Sequence, residues 1–191
     1  HNVSSASTAG GVVTVHGSGF GSEASAVSVT VGDDAGPTCE DVGIVVNHTA
    51  VLCRMSEGSG GGLSVRVQVR GQSGSSAGVF SYAAPEVQNV SRVSTSGGVV
   101  RVEGYSFGDA GADVSVTVDG EACRDVEHVT NHSVLRCVAG ASAHGGLLAS
   151  VVVSVGGLIG RGSMNYSAPE VHNASAVDSG GGTVTVYGAH F

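Results

Sequence analysis

Short bursts of apolar/polar alternation run the length of this chain, each closed by glycine, proline or a small polar cluster. Val27-Ser28-Val29-Thr30-Val31 and Val114-Ser115-Val116-Thr117-Val118 are the plainest cases. A period of two puts successive side chains on opposite faces of a strand. In the first half the pattern predicts strands at Val12–His16, Val27–Val31, Val51–Arg54, Ser64–Val69 and Val79–Tyr82. In the second it predicts Val99–Glu103, Val114–Val118, Val134–Cys137, Ala149–Val155 and Ser163–Tyr166, with a short leading strand near Val90–Val93. No amphipathic run long enough for a helix stands out, and no apolar stretch approaches the roughly 20 residues of a membrane span. Short strands punctuated by turn residues every 8–12 positions or so predict an all-β, two-sheet sandwich.

The pattern repeats. His1–Phe20, Gln88–Phe107 and His172–Phe191 align without a gap, each running from an asparagine through a glycine pair and a valine-rich run to a phenylalanine. Cys39 to Cys53 and Cys123 to Cys137 share one spacing. The distance from phenylalanine to first cysteine differs, 19 residues against 16, so one three-residue insertion separates the repeats. Insertions concentrate in surface loops, and Gly21–Ala26 is the expected loop. The domain reading is module 1 at 1–84, module 2 at 85–168, and the first strands of a partial third at 169–191. That stub is too short to bury a core. A window cut from a longer array is expected, the alternative being a stub that completes a module in a neighbouring chain. The start, without Met or signal peptide, suggests a processed or partial sequence.

The repeated order is Pro-Glu-Val, then Gly-Gly-x-Val-x-Val-x-Gly-x-x-Phe-Gly, then Val-x-Val-x-Val, two cysteines, a long valine strand, and Phe/Met-x-Tyr before Ala-Pro-Glu-Val. With its signature at Gly10–Gly21 and Gly97–Gly108, this resembles the IPT/TIG domain, an immunoglobulin-like module of plexins, fibrocystin-like surface proteins and Rel-type transcription factors. The resemblance covers both full repeats and the stub. It implies tandem immunoglobulin-like β-sandwiches and leaves function open among receptors, adhesive arrays and DNA binders. The DNA-binding branch relies on basic loops that this chain lacks.

All six asparagines, Asn2, Asn47, Asn89, Asn131, Asn165 and Asn173, lie in Asn-X-Ser/Thr sequons with no intervening proline. A sequon accepts N-linked sugar only in the secretory pathway. Strand parity supports use: Phe80 with Tyr82, and Met164 with Tyr166, should share buried faces, which turns Ser81 and Asn165 to solvent. Asn47 and Asn131 read as loop, and Asn2, Asn89 and Asn173 lie beside the module joint. The joint itself, Ala84-Pro85-Glu86-Val87, recurs as Ala168-Pro169-Glu170-Val171. It is too short to behave as a flexible linker.

Four cysteines allow three pairings. Each module must fold as its neighbour does, which selects Cys39–Cys53 and Cys123–Cys137. A metal site is the competing reading, but no histidine or carboxylate forms the other half of a tetrahedral set at usual spacings. Disulfides fit the oxidising compartment that sequons imply. Each staple is worth roughly 3 kcal/mol in the chain-entropy model, which matters for a domain that buries only about 60–65% of its unfolded surface.

The formal net charge is −8, with eight arginines and no lysine. Nucleic acid and anionic membrane surfaces need the opposite balance. His48 and His132 repeat inside sequons, whereas His16, His128, His144 and His190 form no repeated cluster; surface or partly buried histidines are the expectation. Asp33, Asp34, Asp109, Asp113 and Asp119 have the oxygens calcium favours, but no known loop spacing, and read as solvated loop charge. Gly74-Ser75-Ser76-Ala77-Gly78 matches Gly-x-Ser-x-Gly, a motif that needs a strand–turn–helix elbow. Here it lies between two strands and reads as a hairpin turn. No catalytic, metal or cofactor site is therefore expected. The sequence points to a structural segment of a secreted or surface-exposed glycoprotein, a stalk, coat or fibre, whose partners are neighbouring modules or copies of itself. The rivals are a receptor or adhesin ectodomain that binds protein or glycan, and an accessory module of a carbohydrate-active enzyme.

Overall fold

The computed structural model describes residues 2–32, 38–142 and 148–190. Its regular structure is β throughout, apart from one 3-10 turn at Ala24–Ala26. The first module contains β1 (Asn2–Val3), β2 (Gly11–His16), β3 (Val27–Val31), β4 (Thr38–Val46), β5 (Ala50–Met55), β6 (Leu63–Val69) and β7 (Gln72–Phe80). The second contains β8 (Glu86–Val90), β9 (Gly98–Tyr105), β10 (Val114–Val118), β11 (Glu121–Ala122), β12 (Arg124–Thr130), β13 (Val134–Ala139), β14 (Leu148–Val155) and β15 (Leu158–Asn165). A hairpin of β16 (Glu170–Ala174) and β17 (Val186–Ala189) follows.

In module 2 the strands form two antiparallel sheets, β11-β10-β14-β15 and β12-β13-β9-β8. In module 1 one continuous order, β1-β2-β5-β4-β3-β6-β7, folds over on itself. The link is β4. Cys39 pairs with Val29 of β3 on one sheet and with Met55 of β5 on the other. The inward valines of both layers make the core: Val13, Val15, Val29, Val31 and Val51 in module 1, and Val100, Val102, Val116, Val151 and Val153 in module 2. Phe80 and Tyr82 are buried together with ring centroids 5.1 Å apart, edge to face. Met164 and Tyr166 take the same place in module 2. Burial raises the Tyr82 phenol above its ordinary pKa, and its hydroxyl donates to the Ser56 carbonyl at 3.2 Å.

Three sequence expectations need correction. First, β4 and β12 have no counterpart in the predicted strands. A bulge at Asp41 and at Asp125 (φ 51° and 52°) breaks their alternation, and a bulge erases the period-two signal. Second, Gly74–Gly78 is not a hairpin turn but part of β7. The turn is Arg70–Gly71, with positive φ at both residues as a two-residue hairpin loop requires. Glycine and serine hid this half-strand, which is held by backbone pairing to β6. Third, the insertion does not lie in Gly21–Ala26. The strands Val27–Val31 and Val114–Val118 stand at the same distance from Phe20 and Phe107, so the extra residues fall between Val31 and Cys39.

The disulfides join Cys39 to Cys53 and Cys123 to Cys137, with Cα atoms 5.5 Å and 5.7 Å apart. Each pins the strand that leaves one sheet to its neighbour in the other, within a single module.

Candidate functional site

Each Gly-x-x-Phe-Gly signature builds one end of a module. The chain folds back so that the phenylalanine ring lies against the first glycine. A methyl group at Gly17 would meet Phe20 ring carbon at 2.4 Å, and one at Gly104 would meet Phe107 at 2.8 Å. The closing glycine has φ near +75° (Gly21 78°, Gly108 75°), a region costly for other residues. Its carbonyl accepts the N–H of the sequon histidine: His48 to Gly21 at 2.7 Å, His132 to Gly108 at 2.6 Å. The phenylalanine N–H returns the bond to the histidine carbonyl, at 3.2 Å and 3.1 Å. Both histidines adopt positive φ, 67° and 64°. His128 adds a ring N–H donated to the Phe107 carbonyl at 2.9 Å.

In module 2 this end abuts module 1. Thr8 is a buried polar residue, 1% exposed. Its Oγ1 lies 3.4 Å from the Gly108 N–H and 3.1 Å from His132 Nδ1. The other ring nitrogen of His132 faces a Glu57 carboxylate oxygen at 3.4 Å. One imidazole thus bridges two residues of the preceding module. Beside it the backbones meet closely: a methyl at Gly156 would stand 2.7 Å from Gly60 Cα, and one at Gly61 would stand 2.8 Å from Leu158. Small residues on both sides let the modules touch, and the partners of Thr8 satisfy its buried hydroxyl.

The sequence marks His132 as a repeated, surface or partly buried histidine, and its side chain is partly buried, at 19% exposure; it gives no sign of Thr8 or Glu57. The available signal was the recurrence of Asn-His-Thr/Ser, read as a glycan acceptor alone. The six sequon asparagines are all solvent-exposed. Asn47 and Asn131 start the tight turns that carry His48 and His132, so Asn131 borders the seam. Asn165 points outward from β15 while Met164 and Tyr166 are buried. Asn2 lies on β1, and Asn89 and Asn173 lie on β8 and β16, next to the joints. The Arg101 guanidinium, donating at 2.8 Å, and then the Asn89 amide, donating at 3.2 Å, hold the Glu103 carboxyl below its usual pKa.

Asp33, Asp34 and His144 lie outside the described residues. Asp109 and Asp119 accept local backbone N–H bonds, from Gly111 at 3.2 Å and Ser150 at 2.8 Å. Among the described residues, no three His, Cys, Asp or Glu side chains come together as a metal site. Nor, among them, is any helix long and apolar enough to cross a membrane.

The sequence profile of the IPT/TIG domain matches residues 1–82 and again 85–168. No curated protein sequence matches the chain. Among solved structures, the plexin A4 extracellular region is similar at 18% identity and a TM-score of 0.38, over 87% of this chain and 18% of its own. A surface glycan-binding protein, SGBP-B of the xyloglucan utilization locus of Bacteroides uniformis, is similar at 17% identity and a TM-score of 0.38, over 87% of this chain and 48% of its own. Domains 4–9 of the surface layer protein SbsC are similar at 14% identity and a TM-score of 0.29, over 91% and 31%. The chain spans less than half the length of each.

Proposed function

The chain belongs to the IPT/TIG domain family, and from that premise we propose that it is a structural segment of an extracellular, N-glycosylated stalk, coat or fibre built by stacking these modules. The observation that carries the reading is the seam. The His132 imidazole, between Thr8 and Glu57, belongs to a turn that module 1 also possesses at His48. The module that reads the seam on one side therefore presents the same kind of turn on its own far end. The joint repeats as faithfully. Glu86 and Val87 pair with Tyr105 and Gly104, and Glu170 and Val171 pair with Ala189 and Gly188 in the same register. A head-to-tail contact that does not close into a ring extends without limit.

Two disulfides suggest a secreted or surface location, and the exposed sequons agree with it. Sugar at Asn89 and Asn131 would stand at the rim of the seam. With the negative charge it would oppose lateral pairing of exposed strand edges, a known route to aggregation.

Two measurements on native material test this. Enzymatic deglycosylation is expected to lower the mass by several N-glycans; one occupied asparagine or none would remove the extracellular reading. Electron microscopy is expected to show filaments or stalks with an axial repeat of one or two modules. Monodisperse globular particles would overturn the stacking role.

A further inference from the structure

The two disulfides occupy equivalent places in their modules, but their surroundings differ. Cys53 and Cys137 are both sealed in the core, at 0% and 1% exposure. An external thiol therefore reaches either bond through its other sulfur, that of Cys39 or Cys123. Strand register sets what covers each. Cys39 pairs with Met55, and the Met55 thioether sulfur rests 3.3 Å from Cys39 Sγ. Met55 is itself 2% exposed, so its side chain fills the space beside that sulfur. In module 2 Arg124 pairs with Val138, which sets Cys123 opposite Ala139. That residue offers a methyl group where Met55 offers a thioether. Cys123 is only partly buried, and Ala122 and Arg124 on either side of it are exposed.

The backbone differs as well. Cys39 lies inside β4 and pairs on both sides, with Val29 of β3 and Met55 of β5. Cys123 falls in the gap between β11, which ends at Ala122, and β12, which starts at Arg124. Its N–H still donates to the Val116 carbonyl at 2.8 Å. Exchange requires a thiolate to approach one sulfur in line with the S–S bond, so access decides which sulfur reacts. A cysteine between strands yields to that approach more readily than one paired on both flanks. Met55 and Ala139 belong to β5 and β13 of their own modules, so the contrast is internal to each module.

We propose that Cys123–Cys137 is a thiol-exchange site, attacked at Cys123 Sγ by small monothiols, while Cys39–Cys53 stays closed. In the first step a thiolate bonds to Cys123 Sγ and the bond between the two cysteine sulfurs breaks. The electron pair leaves on Cys137 Sγ, which takes up the proton that the attacking thiol had released. A second thiolate then attacks the thiol-derived sulfur of the mixed disulfide and frees Cys123. Two monothiols are oxidised to one disulfide, and the protein disulfide is reduced to two thiols. The Cys123 N–H bond to Val116 and the β10–β11 pairs remain when the staple opens. Module 2 thus becomes the softer of the two modules, in a segment whose other staple is unchanged. The same selectivity is expected whether the native protein is a fibre or a globule.

Reduced glutathione at millimolar concentration is the probe, added under native conditions to the oxidised 191-residue chain. Samples are alkylated at intervals and mapped by mass spectrometry. The expected products are a glutathione adduct on Cys123, an alkylated Cys137 and an intact Cys39–Cys53 peptide. Module 2 should react at least about tenfold faster than module 1, as the access dependence of exchange implies. The rate should rise in proportion to glutathione and stay flat in low urea, because the folded module is the target. Met55→Ala should speed exchange in module 1, and Ala139→Met should slow it in module 2. Should either variant fail to fold, the wild-type site of addition and urea dependence still decide the matter. Equal rates in the two modules, first adducts on Cys39 or Cys137, or a rate that climbs with urea as unfolding does would each overturn the proposal.

Discussion

Reduction of the disulfides is expected to destabilise each module by about 2–5 kcal/mol. For domains of this size that corresponds to a fall of about 4–8 °C in Tm for each kcal/mol. The effect should exceed what loop closure alone suggests in one respect. Cys39 stands where β4 pairs with both β3 and β5, so its bond to Cys53 holds the crossing between sheets. The bulge at Asp41 follows immediately, and a bulged strand has fewer regular pairs to hold it. Calorimetry with and without reductant measures the loss. Cys53→Ala should lower one transition and Cys137→Ala the other, because each bond stays within its module. A reduced chain that melts unchanged would refute the argument, as would recovery of a Cys53–Cys123 peptide from oxidised material.

Much of this fold is legible in the sequence, and the illegible part has one physical cause. Val27–Val31 and Val114–Val118 are strict alternators with one buried face, and the period-two pattern finds them to the residue. The parity argument at Phe80 and Tyr82 works for the same reason. The pattern fails wherever backbone rather than side-chain burial holds a strand. Gln72–Gly78 is an example: its glycines and serines carry no hydrophobic signal, and backbone pairing to β6 holds it in the sheet. Asp41 and Asp125 are another, since a positive-φ aspartate shifts the alternation by one. The seam was hidden differently. Thr8, Glu57 and His132 are far apart in sequence, and Thr8 stands in a polar Ser-Thr run that reads as turn. Only the packing of one module on the next buries its hydroxyl.

Phe107→Ala is expected to cost module 2 about 3–5 kcal/mol, the range for truncating a fully buried aromatic ring. Phe107 is 0% exposed, and its ring fills the space that Gly104 leaves open. A second consequence separates this residue from an ordinary core position. The Phe107 N–H and carbonyl bond His132 and His128, and His132 in turn meets Thr8 and Glu57 of module 1. Loosening the ring should therefore loosen the seam. Thr8→Val tests the link from the other side, because it leaves the His132 ring and the Gly108 N–H short of a partner. Groups in one packed network couple by about 0.5–3 kcal/mol, whereas independent sites add. The double variant should accordingly be more stable than the sum of the two losses implies. Chemical denaturation of the wild type, both single variants and the double variant gives that difference directly. Additivity within about 0.5 kcal/mol would mean that the signature loop and the seam are separate devices. Coupling would mean that the Gly-x-x-Phe-Gly motif does more than close a sandwich. It would place the motif among the elements that set how one module meets the next.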